Sequence, residues 1–183
     1  ALIGRAKTGQ GRFIDFSQLE SMVPLSGEAI LDYSVNDRPP QCNGNRDFYM
    51  APQGVYPCTG DDNWVGISVT TDEEWAALCV VLQNFEMASD SRFANGRGRV
   101  ENHDALDSMI EQWTRQREKN QAMRELQKAG VPAGAVLDQA EAYRDAQAVS
   151  RDFLVELTHP DGVIYPYSRT PARFSKTPAE VRT

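Results

Sequence analysis

Hydrophobic and polar positions along this chain switch several times between a period of two and a helical period. Residues 54–58 (GVYPC) and 64–69 (WVGISV) read as short strands around the turn-forming run TGDDN, which predicts a hairpin with a longer loop. Thr71-Asp72-Glu73-Glu74 follows with the T-x-x-E form of a capping box. It predicts a helix start, with Trp75, Leu78, Cys79 and Leu82 on one face of the helix. Helical spacing returns over residues 101–118, where Leu106, Met109, Ile110 and Trp113 share a stripe. It returns again over 120–128, with Met123 and Leu126 inward and Gly130 and Pro132 as stops. Residues 84–99 between them read as irregular, anchored by Phe93. Residues 133–137 predict a short strand, and Asp138-Gln139-Ala140-Glu141 a second capping box opening a helix to about Val149. Residues 153–157 and 163–167 predict a second hairpin around His159-Pro160-Asp161-Gly162.

The first third is organised differently. Residues 1–7 read as the end of a helix closed by Gly9, residues 12–16 (RFIDF) as a buried strand, and residues 17–34 as a helix that Pro24 and Gly27 kink or break. Turn formers and a Pro-Pro pair mark a linker at 36–43. The expected organisation is a strand–helix segment over 1–35, that linker, a small domain over 44–167 and an extended tail over 168–183. The fold class is α+β, with helices against a small mixed or antiparallel sheet. The chain opens at Ala1 inside what reads as a helix, so it is expected to be a piece of something longer.

At 183 residues the chain can bury a real core. A net charge of −7 argues against a nucleic-acid or anionic-membrane surface. No stretch approaches the roughly 20 apolar residues of a membrane span, and no signal peptide is visible, so a cytoplasmic protein is expected. Cys42, Cys58 and Cys79 are odd in number and widely spaced, which predicts reduced thiols, most simply small buried hydrophobes.

Candidate chemistry is sparse. His103 lies beside Asn102 and Asp104 at a helix start, where a solvated or capping role is expected. His159 precedes a proline in a turn. Asp15 reads as a cap for the following helix and Asp61-Asp62 as turn residues. Arg97, Arg99, Arg115, Arg117 and Lys119 read as a solvated helix face. No triad, zinc, Walker or dinucleotide motif is present, so no metal or bound cofactor is expected and no catalytic residue is assigned.

Several motifs nevertheless occur in a distinctive order: Thr8-Gly9-Gln10-Gly11 with Ile14-Asp15, Gly44-Asn45-Arg46, Ala51-Pro52, the hairpin with its Gly60-Asp61 turn, and T-x-E-E-W at 71–75. Asp90-Ser91-Arg92-Phe93-Ala94, Ala129-Gly130-Val131-Pro132-Ala133-Gly134 and Phe174-Ser175-Lys176-Thr177-Pro178 complete the series. Taken together they resemble the family III CoA-transferases, the CaiB/BaiF group that includes formyl-CoA and carnitine CoA-transferases and the α-methylacyl-CoA racemases.

The resemblance implies a substrate that is a coenzyme A thioester, with a carboxylic acid as the other partner. An aspartate nucleophile forms anhydride and aspartyl-CoA intermediates. By alignment with the family, that aspartate falls before Ala1, in a large domain that also supplies most of the nucleotide contacts. The resemblance further implies that Gly44, Asn45, Arg46, Met50, Ala51 and Pro52 lie nearest the reacting acyl group, and that the protein is a homo-oligomer. The glycine-rich loop of formyl-CoA transferases is not evident. Two alternatives stand beside the transferase: a non-catalytic module binding a ligand or partner, and a racemase-like isomerase. The racemase branch carries a glutamate where Thr71 stands here.

Overall fold

The computed structural model describes residues 1–178, and the last five positions of the expected tail lie outside the described residues. It divides into two units, Ala1–Gly44 and Asn45–Thr183.

In the first unit α1 spans Leu2–Thr8 and ends at Gly9, whose φ of 71° closes the helix with its N–H on the Arg5 carbonyl. Helix α2 covers Gln18–Met22, capped by the Ser17 hydroxyl. A 3-10 turn at Val23–Ser26 leads into α3, Gly27–Asn36. Pro24 therefore breaks the predicted helix as expected, because it cannot supply an intrahelical N–H. The predicted strand at 12–16 does not form. Those residues have no regular structure, and Phe13, Ile14 and Phe16 are exposed. A strand is held by ladder bonds to a neighbour, and no described strand pairs with this segment.

The second unit holds the core. Strands β1 (Gln53–Pro57), β2 (Trp64–Ser68) and β3 (Ala133–Ala135) form an antiparallel sheet with β2 in the centre. Pro57 is accommodated because β1 is an edge strand. Val65 and Ile67, two apart, point to one face and are fully buried there. Three helices close over the core: α4 (Asp72–Leu82), α7 (His103–Thr114) and α8 (Lys119–Lys128). Trp75, Leu78, Cys79 and Leu82 of α4 are buried, as the stripe predicts, and the capping box is present in both directions: the Thr71 hydroxyl accepts from Glu74 N–H while Glu74 reaches back. Leu106 and Ile110 of α7 and Leu126 of α8 complete the interior, and Gly130 (φ 87°) turns the chain from α8 toward β3.

Residues 84–99 are more regular than their sequence suggests. They form α5 (Phe85–Ser89), a 3-10 turn at Ser91–Phe93 and the start of α6 (Gly96–Glu101). The reason is side-chain capping: Asn84, Asp90 and Asn95 each accept from a backbone N–H two or three residues on. Gly98 is required there, since a Cβ would stand 2.4 Å from the Arg92 carbonyl oxygen. Phe93 is the buried anchor, tilted against Trp75.

The Asp138 capping box opens only a short helix, α9 (Gln139–Ala142). The chain turns at residues 143–145, and Asp145 caps a separate α10 (Ala146–Ser150) instead of one helix continuing to Val149. Strands β4 (Leu154–Thr158) and β5 (Ile164–Ser168) form the predicted second hairpin. No helix or strand follows among the described residues. The architecture is α+β, with small antiparallel sheets and no mixed one among the described strands.

Candidate functional site

Of the six residues expected near an acyl group, Gly44 ends the first unit with φ 62°, and the other five lie in the segment that leads into β1. That segment is pinned at both ends. At one end Arg46 reaches α7, where its Nη2 donates to both Asp104 Oδ1 and Asp107 Oδ2. At the other, Ala51 and Pro52 are buried across a cis peptide bond, the Pro52 carbonyl accepts from Val69 N–H at 2.9 Å, and Gln53 N–H donates to His103 Nε2 at 3.2 Å. Between the pins, Asp47 Oδ1 accepts from the Tyr49 and Met50 N–H groups at 2.7 and 3.1 Å. Met50 is half-buried, and Phe48 and Tyr49 are exposed. The structure thus buries Ala51 and Pro52 in the second unit, ties the exposed Arg46 to α7 and leaves Asn45 exposed on the surface.

The partners of this segment were not read from the sequence. Asp107 is the hub: its half-buried carboxylate also accepts, through Oδ1, from Tyr56 Oη of β1 at 2.8 Å. Burial, then the Asp107 charge, pushes the Tyr56 phenol well above its ordinary value, so Tyr56 is a permanent donor. His103 is not the solvated or capping residue its neighbours suggest. It is 4 % exposed, and burial lowers its pKa against the pull of Asp107. Its Nε2 accepts from Gln53 N–H and so cannot donate to Asp107 Oδ1, 3.5 Å away; the ring is neutral. The available signal was the spacing H-D-x-x-D at 103–107, which sets His103 and Asp107 one helical turn apart on one face.

Two supposed surface cations are also buried. Arg99 is 4 % exposed, donates to Asp72 Oδ1 at 2.6 Å and lies over the Trp75 ring. Lys119 is equally enclosed, on Glu141 Oε2 at 2.6 Å and the Val136 carbonyl at 3.0 Å. Arg117 stacks on Trp113 and pairs with Glu125. These cations tie helices together and are spent on the fold, while Arg97 remains on the surface as expected.

Other candidate groups have local explanations. Asp62 (φ 52°) accepts from Trp64 Nε1 within the hairpin turn, and no group of three potential metal ligands occurs among the described residues. Cys42 is exposed, contrary to the expectation of a buried thiol. Cys58 and Cys79 are buried, which raises both thiols, Cys79 to about 11, and leaves them poor nucleophiles. Glu74 accepts from Thr70 N–H, Thr70 Oγ1 and Thr71 N–H, which hold its carboxyl below the usual range. His159 lies in its turn against Tyr165 and Tyr167. A separate cavity of about 560 Å³ is lined by Asp145, Arg151, Phe153, Arg169, Arg173 and Phe174, among others. It shares no residue with the Arg46 segment.

Curated proteins and solved structures resemble this chain over most of its length. The acetyl-CoA:oxalate CoA-transferase of Acetobacter aceti is 33% identical over 156 residues, 85% of this chain and 40% of its own length. The succinyl-CoA–D-citramalate CoA-transferase of Chloroflexus aurantiacus is 30% identical over 182 residues, 99% of this chain and 45% of its own. A crystal structure of a CaiB/BaiF family protein from Brucella suis superimposes with a TM-score of 0.81 at 32% identity, over 97% of this chain and 45% of that one. The chain therefore spans less than half the length of these relatives. The family model for CoA-transferase family III matches residues 1–183, and the chain belongs to that family.

Proposed function

We propose that this chain is the C-terminal portion of a transferase that moves CoA between an acyl-CoA and a carboxylic acid. The observation that carries this reading is that relatives matching 85% and 99% of the chain are named for such exchanges between carboxylic acids. The aspartate nucleophile belongs to the half of the family fold that this chain lacks. Residues 1–35 are the end of that large domain, 36–43 a linker, 44–167 the small domain and 168–183 an extended tail. Gly44, Asn45, Arg46, Met50, Ala51 and Pro52 lie nearest the acyl group. The partners are the CoA thioester, the carboxylate acceptor, the other half of the fold and a second copy of the chain. The compartment is the cytoplasm.

The residues at 70–74 favour transfer over racemisation. Deprotonation next to a thioester needs a side chain that exchanges protons near working pH. Thr70 and Thr71 cannot do so, and Glu74 is committed to three local donors that favour its charged form.

Mass spectrometry of thioesters after incubation with acyl-CoA donors and carboxylate acceptors tests the proposal. The chain alone is expected to give no exchange above buffer, and the protein uniting it with the other half is expected to exchange CoA. Turnover by the isolated chain overturns the placement of the nucleophile. Rapid solvent deuterium wash-in at the α-carbon, lost on changing Glu73 or Glu74 to Gln, overturns the transferase reading.

A further inference from the structure

We infer that Asp107 of α7 is the positioning residue for the segment 45–52, and that Arg46 is the strut through which it acts rather than a clamp for substrate carboxylate. The effect on turnover rests on the transferase reading; the positioning itself does not.

Charge is the first argument. Arg46 carries one positive charge against the two carboxylates of Asp104 and Asp107, so the cluster is net negative and repels an arriving anion. Both Nη2 protons are engaged by the two aspartates, which removes the paired edge that a guanidinium offers a carboxylate. Hydrogen bonds to Asp104 and Asp107 raise the Arg46 pKa further, against the opposing effect of burial, so the strut stays charged.

Connectivity is the second. Asp107 joins three elements: the segment through Arg46, β1 through Tyr56, and its own helix. Beside it His103, four residues earlier, receives Gln53 N–H where the segment becomes β1. One helix face therefore holds both ends of a stretch that contains no helix or strand. Between the two pins stand the exposed rings of Phe48 and Tyr49, 6.5 Å apart, and the half-buried Met50. A group lying against the segment meets this apolar surface and the backbone, and Asp107 determines where that surface stands.

Amide hydrogen exchange on the chain itself is the first test. Asp107→Asn and Arg46→Ala are each expected to speed exchange at the Tyr49 and Met50 amides by about tenfold while β2 amides stay unchanged, because a charge-assisted bond is lost locally. Unchanged Tyr49 and Met50, or equal acceleration in β2, overturns the inference. The second test is kinetic, in the protein uniting this chain with the other half. Asp107→Asn is expected to lower kcat about tenfold with little change in KM for the acceptor acid. In Arg46→Ala, a raised KM for the acceptor acid at unchanged kcat makes Arg46 a direct carboxylate contact and overturns the strut. If the unaltered protein exchanges no CoA, the transferase reading fails and hydrogen exchange alone decides the positioning.

Discussion

The two units of this molecule use similar residues to opposite effect. The second unit buries Val65, Ile67, Leu78, Phe93, Leu106, Ile110 and Leu126 completely or nearly so. The first carries Leu2, Ile3, Phe13, Ile14, Phe16, Leu19, Leu25, Ile30 and Leu31, all exposed, and no residue of it is buried among the described residues. Caps and turns are nonetheless in order in both: Ser17 and Gly9 close helices in the first as Thr71 and Gly130 do in the second. Capping and helical propensity act within a turn or two of chain. Burial needs a second apolar surface of matching shape, and three helices around a sheet provide one only in the second unit.

Association separates the units most sharply. Exposed apolar surface on the scale of the first unit exceeds what monomers ordinarily leave in water, so the chain is expected to sediment as a dimer or larger species. A version lacking residues 1–44 should associate less. Equal association of the two versions breaks the comparison, because the surface responsible would then lie in the second unit.

Truncation of single side chains should reproduce the contrast. Phe93→Ala removes a fully buried ring packed on Trp75 and is expected to cost about 3–5 kcal/mol in denaturant unfolding. Leu19→Ala, at a residue 79 % exposed, should stay within about 0.5 kcal/mol. A comparable loss at Leu19 would mean that the first unit has a core of its own making.

The capping box offers a smaller and more local test. Thr71→Ala should cost about 0.5–2 kcal/mol and Thr71→Ser much less, since the hydroxyl that accepts from Glu74 N–H is retained. The smallest effect concerns pH. Thr70 and Thr71 hold the folded-state pKa of Glu74 below its unfolded value. Its contribution to stability is therefore present above the ordinary glutamate value of about 4.3 and is lost as pH falls through the lowered folded value. Glu74→Gln should flatten that part of the acid limb in denaturation measured from about pH 6 to about pH 3. An unchanged limb would show that the carboxylate gains nothing from its three donors.

Local order was legible in the chain alone. Both hairpins, both capping boxes, the stripe Trp75-Leu78-Cys79-Leu82, the break at Pro24 and the anchor Phe93 follow from residue type and spacing, because each is decided within a few residues. The motifs that carry the family resemblance have the same character. Tertiary structure decided the rest. The segment at 12–16 has a strand's composition, yet a strand exists only where a neighbour completes its ladder. Arg99, Lys119 and His103 look like surface residues in sequence, and only the elements packed over them make them buried ties. The partners of Arg46 have no local signature: α7 sets Asp104 and Asp107 against it from 58 and 61 residues away. A charge takes its role from what surrounds it in space, and helix and strand periodicity contains no term for partners at that separation.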